Sequence, residues 1–190
     1  MSIRPGSRPE DNRSARKMAV FLIGFMGAGK TSVGQALSRR LGWPFEDLDD
    51  RIADRAGRTV LRIFAESGEA EFRRLENQAL REVLSEVKTS PRVVALGGGA
   101  FVRTENAKLL QESGVNIVFL DAPVEELWRR CAEQDLNRPL RQDAQQFRKL
   151  YEERRPLYGK VLWCIETGGK PVEAVAAEVE SRLRLSTERS

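Results

Sequence analysis

Two rhythms of apolar and polar residues alternate along the chain. Short, nearly unbroken apolar runs stand at residues 19–23, 92–96, 115–120 and 161–165, with a fifth, weaker one at 44–49. Each has the length of a strand and is too uniformly apolar to leave one face in water. Between them the apolar residues fall at helical spacing. Val33, Ala36, Leu37 and Leu41 share one face and Gly42 ends the segment; Phe72, Leu75, Ala79, Leu80 and Val83 form a second stripe within 62–87. Shorter helices are predicted from Asp49 to Gly57, over 105–111, from Pro123 to Cys131, over 144–155 up to Pro156, and from Pro171 to Leu183. Strands alternating with helices imply one α/β domain with a parallel sheet covered on both faces. Residues 133–145 are polar, contain Pro139 and lack a stripe, so they are expected to form a mobile lid.

Composition narrows the chemistry. The 190 residues include 41% hydrophobic residues, enough for a real core, but no apolar run of membrane-spanning length. The N-terminus lacks the apolar centre of a signal peptide, so a cytoplasmic protein without a membrane partner is expected. Cys131 and Cys164 sit in apolar surroundings and read as two buried thiols. No histidine is present, which closes the routes built on His as base and leaves acid–base work to carboxylates, Lys or Tyr. The sequence pI near 9.3 raises the question of nucleic acid. However, residues 1–17 carry +3 of the net +4, so the body is nearly neutral and no nucleic-acid partner is expected. That segment, like 185–190, reads as a flexible tail around a single domain at 18–184.

Residues 24–31 read G-F-M-G-A-G-K-T and match the phosphate-binding pattern G-x-x-x-x-G-K-[ST]. The setting is the one that pattern requires, a buried strand before it and an amphipathic helix after it. Glycines let successive N–H groups curl toward phosphate oxygens, and the helix start adds positive potential. The backbone from Gly27 through Ala28, Gly29, Lys30, Thr31 and Ser32 is therefore expected to hold ATP. Lys30 would reach the outer phosphates, and the Thr31 hydroxyl would be a Mg²⁺ ligand.

Asp47 and Asp49, one residue apart at the end of the second strand, are expected on one strand face, where one could serve Mg²⁺ and the other an acceptor hydroxyl. A plainer reading has Asp49 or Asp50 cap the following helix. Arg73 lies four residues after Glu69 and three before Glu76, so spacing alone favours helical salt bridges. Gly97, Gly98 and Gly99 end a buried strand and would let a ligand approach the backbone. Arg138, in the polar segment, is either a surface residue or a lid arginine acting on phosphates, and Arg154 either a solvated helix end or a ligand.

In this order the pieces resemble the shikimate kinase family, whose pattern runs G-F-M-G-x-G-K-[ST], F-x-D-x-D, G-E-x-x-F-R-x-x-E, G-G-G, R-P-L and R-x-P-L-Y. Here these are residues 24–31, 45–49, 68–76, 97–99, 138–140 and 154–158, and the likeness spans about 18–183. The resemblance implies a three-layer P-loop fold with a five-stranded parallel sheet and a lid. It implies ATP- and Mg²⁺-dependent phosphorylation of the shikimate 3-hydroxyl, on the way to aromatic amino acids, by an enzyme expected to be monomeric. Lys30, Asp49 and Arg138 would be catalytic, with Asp49 on the acceptor hydroxyl and Asp47 on the metal side; Arg73 and Arg154 would clamp the shikimate carboxylate. Gly97, Gly98 and Gly99 would cradle the acceptor ring. The chain departs from the pattern at Arg141, where another leucine is usual, and over 159–163. The adenine-stacking arginine would be Arg130, one residue further from Arg138 than the pattern expects.

Overall fold

The structure, a computed structural model, describes residues 19–134 and 143–185. Arg138, Arg141, residues 1–17 and the centre of the predicted lid lie outside the described residues.

Five strands form one parallel sheet in the order β2-β3-β1-β4-β5: β1 (Ala19–Ile23), β2 (Phe45–Asp47), β3 (Arg92–Ala95), β4 (Asn116–Asp121) and β5 (Trp163–Glu166). The seven helices of the described residues are α1 (Lys30–Leu41), α2 (Leu48–Ala56), α3 (Val60–Glu86), α4 (Thr104–Ser113), α5 (Val124–Gln134), α6 (Ala144–Tyr158) and α7 (Val172–Leu183). β1 is central and all five of its residues are buried, as a strand covered on both faces must be. Helix α1 packs against α7 and the sheet, α2 against α3, α3 against α4 and α5 against α6. Among the described residues no helix is long and apolar enough to cross a membrane.

The register brings the working ends together. Leu22 lies level with Ala95 and Asp47 with Ala95 on the other side, so the chain leaves β1, β2 and β3 at one height. Parallel strands put all three carboxyl ends on the same edge, where open α/β sheets bind ligands.

Several local expectations are corrected. The second strand stops at Asp47; Asp47 is the N-cap of α2, and Asp49 lies in that helix's first turn. The two aspartates therefore do not share a strand face. The strand ends because the Asp47 carboxylate accepts the Asp49 N–H at 3.0 Å, satisfying a helix donor that would otherwise lack a partner. The stripe within 62–87 is not one straight helix. Gly68 has φ 78° and ψ 174°, which breaks α3 into two segments. Pro156 does not end α6, which runs on to Tyr158. Tyr158 is 1% exposed and packs on Phe119 at 5.3 Å between ring centroids, and that burial carries the helix past the proline. The fifth strand starts at Trp163, not Val161. Cys131 is buried as expected, but Cys164 is exposed because β5 is an edge strand.

Candidate active site

The site is built from the three chain segments that leave β1, β2 and β3. After Ile23 the phosphate loop turns into α1, whose N-cap is Gly29 at φ 87° and ψ 18°, a left-handed conformation suited to glycine. The helix carries no acidic residue in its first turn and no side-chain cap, a start whose positive potential suits an anion. Lys30 Nζ donates to the carbonyls of Gly24 and Phe25, each at 3.0 Å, which folds the lysine back over the loop. Ala28 is 1% exposed, and its N–H donates to the Phe25 carbonyl at 3.2 Å, closing the turn of the loop.

Thr31 Oγ1 donates to Asp47 Oδ2 at 3.0 Å, while Asp47 Oδ1 accepts the Asp49 N–H. One carboxylate thus joins the start of α1 to the start of α2. The expected cap, Asp49 or Asp50, is corrected: both lie in the first turn of α2, and Asp47 caps it with one oxygen while the other accepts from Thr31. A hydroxyl and a carboxylate side by side are hard oxygen donors that suit Mg²⁺, which keeps several water and phosphate ligands. Among the described residues no group of three or more His, Cys, Asp or Glu could hold a metal ion by itself.

A cavity of about 140 Å³ is lined by Gly27, Gly29, Lys30, Thr31, Ser32, Asp47, Asp49, Gly97 and Gly98, together with Met26 and Leu96. Nine of the residues singled out in the sequence meet here. Arg73, Gly99 and Arg154 stand beside it. A Cβ on Gly97 would lie 2.7 Å from Asp49 Oδ1, and one on Gly99 would lie 2.9 Å from Arg73 Nη2. At two of the three glycines a side-chain end therefore lies close against the backbone, and a Cβ there would displace it. Gly98 is less crowded, and its carbonyl is the anchor instead: Arg154 Nη1 donates to it at 3.4 Å, and so does the Tyr158 hydroxyl. Burial pushes the Tyr158 hydroxyl up to about 12, against the lowering effect of Arg154, so it stays a donor at neutral pH.

Arg73 makes both ion pairs its spacing predicts, to Glu69 at 3.1 Å and Glu76 at 3.0 Å. Its side chain is only 15% exposed and its guanidinium also stands against the glycine turn, so the predicted salt bridges form beside that turn rather than in open solvent. Glu76 is 1% exposed. Burial raises its pKa, chiefly by desolvating the carboxylate, and the nearby Arg73 charge only partly offsets this.

Sequence reasoning gave no role to Asn106 or Asp121, took Glu76 only as a salt-bridge partner of Arg73, and took Tyr158 only as part of a motif. For Glu76 a signal existed, since it is a polar residue on the same face as Phe72, Ala79 and Val83. Asp121 ends the apolar run of β4; it is 4% exposed and accepts Arg155 Nη2 at 2.7 Å and Nε at 2.9 Å. Nothing in the sequence pattern marks Asn106. Arg130 lies against the phosphate loop and donates to the Gly27 carbonyl at 3.4 Å and the Thr167 carbonyl at 2.8 Å.

Known proteins resemble this arrangement closely. The family profile described as shikimate kinase matches residues 26–184. A shikimate kinase of Cereibacter sphaeroides is 40% identical over 186 residues, covering 95% of this chain and 90% of that protein. One of Geobacter metallireducens is 42% identical over 167 residues, covering 86% and 90%. Among solved structures, shikimate kinase from Acinetobacter baumannii in complex with shikimate superposes with a TM-score of 0.79 at 35% identity, covering 94% of this chain and 99% of that one. A gluconokinase from Sinorhizobium meliloti, at 18% identity and a TM-score of 0.57, shares the fold.

Proposed function

This chain belongs to the shikimate kinase family, and we propose that it transfers the γ-phosphoryl group of ATP to the 3-hydroxyl of shikimate, with the residues around the phosphate loop in the following roles. The observation that carries the reading is the wall facing the loop: Asp49, Arg73 and Arg154 converge on the turn Gly97, Gly98 and Gly99.

The backbone from Gly27 to Ser32 and the start of α1 hold the phosphates. Lys30 exchanges its two carbonyl acceptors for the outer phosphate oxygens, where its charge stabilises the transferring group. Thr31 and Asp47 would hold Mg²⁺, which supplies charge neutralisation on the phosphates when bound with ATP. Arg73 and Arg154 bind the acceptor carboxylate, for which a planar guanidinium is suited. Asp49 holds the acceptor hydroxyl beside the loop. As the acceptor oxygen bonds to the γ-phosphorus, the bond from that phosphorus to the ADP oxygen breaks, and Asp49 takes the hydroxyl proton. The transition state of such transfers is loose, so position matters more than base strength and an ordinary carboxylate suffices. Arg138 enters this scheme through its motif alone.

The nearly neutral body supports small molecules rather than nucleic acid as partners, in the cytoplasm. The test is ADP release by the purified chain with ATP, Mg²⁺ and either shikimate, gluconate or a nucleoside monophosphate. Turnover is expected with shikimate alone; turnover with gluconate alone would overturn the assignment of the acceptor.

A further inference from the structure

Behind the arginine clamp lies a buried amide that the scheme above does not use. Asn106, in the first turn of α4, is 2% exposed. Its Nδ2 donates to Glu76 Oε2 at 3.3 Å and to the Ala100 carbonyl at 3.2 Å, and its Oδ1 accepts from Asn77 Nδ2 at 2.8 Å. The Asn77 carbonyl oxygen in turn accepts from Arg81 Nε at 2.8 Å.

These contacts have a direction. Asn77 fixes which end of the Asn106 amide carries the oxygen, because only an oxygen can accept from Asn77 Nδ2. The amide nitrogen is then committed to the Glu76 carboxylate and to Ala100, the residue directly after the glycine turn. Glu76 spends its other oxygen on Arg73 at 3.0 Å. One amide therefore ties together the helix that carries Arg73, the backbone that cradles the acceptor, and α4.

We propose that Asn106 is a positioning residue for the acceptor site, orienting Glu76 so that Arg73 is held against the glycine turn. It touches neither substrate. It acts by supplying a neutral donor to a buried carboxylate that has a cation on its far side. The charged groups facing Glu76 are Arg73 on its own helix, Asp49 from α2 and Arg103 from the segment before α4. With Asp49 opposing ionisation and burial doing so more strongly, a neutral donor at Asn106 keeps the carboxylate ionised without adding a competing charge for Arg73.

The inference rests on the shikimate kinase reading, and one set of assays separates the two. Wild type and Asn106→Asp are compared by steady-state kinetics with shikimate and ATP from pH 6 to 8.5. Aspartate keeps the shape but, when ionised, can only accept, so it sets two carboxylates face to face. The shikimate KM of the variant is expected to rise roughly tenfold at pH 8.5, with the ATP KM within about twofold of wild type. The ratio of variant to wild-type shikimate KM should fall toward one at pH 6, where a shared proton restores a donor. A role in stability alone would not produce that recovery. Asn77→Ala, on the partly buried rim, removes the group that fixes the amide and should raise the shikimate KM about threefold with the ATP KM unchanged. A pH-independent ratio in Asn106→Asp, or equal changes in both KM values, would overturn the proposal. If Asn106→Asp does not fold, an unchanged shikimate KM in Asn77→Ala does so. Wild-type chain without shikimate-dependent turnover would instead overturn the function itself.

Discussion

Arg73 concentrates the questions at residue scale. Its spacing from Glu69 and Glu76 announced salt bridges, and both form, yet its guanidinium is pressed on Gly99. The ion pairs are the mount and the exposed edge is the tool. Arg73→Ala should raise the shikimate KM about tenfold or more while the ATP KM moves little, a loss of at least ~1.4 kcal/mol of acceptor binding. A change in the ATP KM alone would place Arg73 on the wrong substrate. Lys30 belongs to the other half. Lys30→Ala should lower kcat by about two to three orders of magnitude, read by the same ADP-release assay, since in the proposed scheme it removes the charge that stabilises the transferring phosphate. Glu76 carries the pH dependence. Its folded pKa is raised by burial above the ordinary 4.5, so the folded state binds its proton more tightly than the unfolded state. This group's contribution to stability is then largest below 4.5 and is lost as pH rises through the raised value. Glu76→Gln should flatten that part of the stability profile in urea titrations at stepped pH; an unchanged slope would contradict the sign.

At the scale of elements, α3 is the instructive case. The pattern Phe72, Leu75, Ala79, Leu80 and Val83 located its buried face, but Gly68 gave no periodic signal of a break. The backbone there takes φ 78° and ψ 174°, a region open essentially to glycine alone, and a Cβ would meet nothing within 4 Å. The cost of a side chain is therefore conformational, not steric. Gly68→Ala should destabilise the fold by about 1–3 kcal/mol in chemical denaturation. An unchanged midpoint would mean that the second segment of α3, which carries Arg73, does not depend on the kink. β2 shows the opposite failure of pattern. Two aspartates at i and i+2 read as one strand face, whereas the first of them caps a helix that begins with Leu48. A side chain that satisfies backbone donors ends a three-residue strand, and alternation cannot reveal that. α6 outlasts Pro156 for a tertiary reason, the burial of Tyr158 against Phe119, which lies in another part of the chain.

For the molecule as a whole, the alternation of apolar runs and helical stripes was enough for a parallel five-stranded α/β domain. The inner strands β1, β3 and β4 are buried on both faces and read as nearly unbroken apolar runs, whereas the edge strands β2 and β5 are partly exposed. The strand order was not written there. The strand, glycine-rich turn and helix around residues 24–31 were legible, since their glycines and Lys30 are local in sequence. The acceptor half was legible only in pieces. Arg73, Gly97 and Arg154 come from distant segments and meet through the register that levels β1, β2 and β3. Asn106 and Asp121 stayed hidden because a buried polar residue means something only once its partners are known.

The central claim is that these two halves form one site, a phosphate loop facing a pocket that reads a carboxylated acceptor. Initial rates of ADP release with ATP and Mg²⁺, compared across shikimate, gluconate and nucleoside monophosphates, test it most directly. Turnover that requires shikimate and saturates with it is the predicted result; ATP binding with no shikimate-dependent turnover would contradict it.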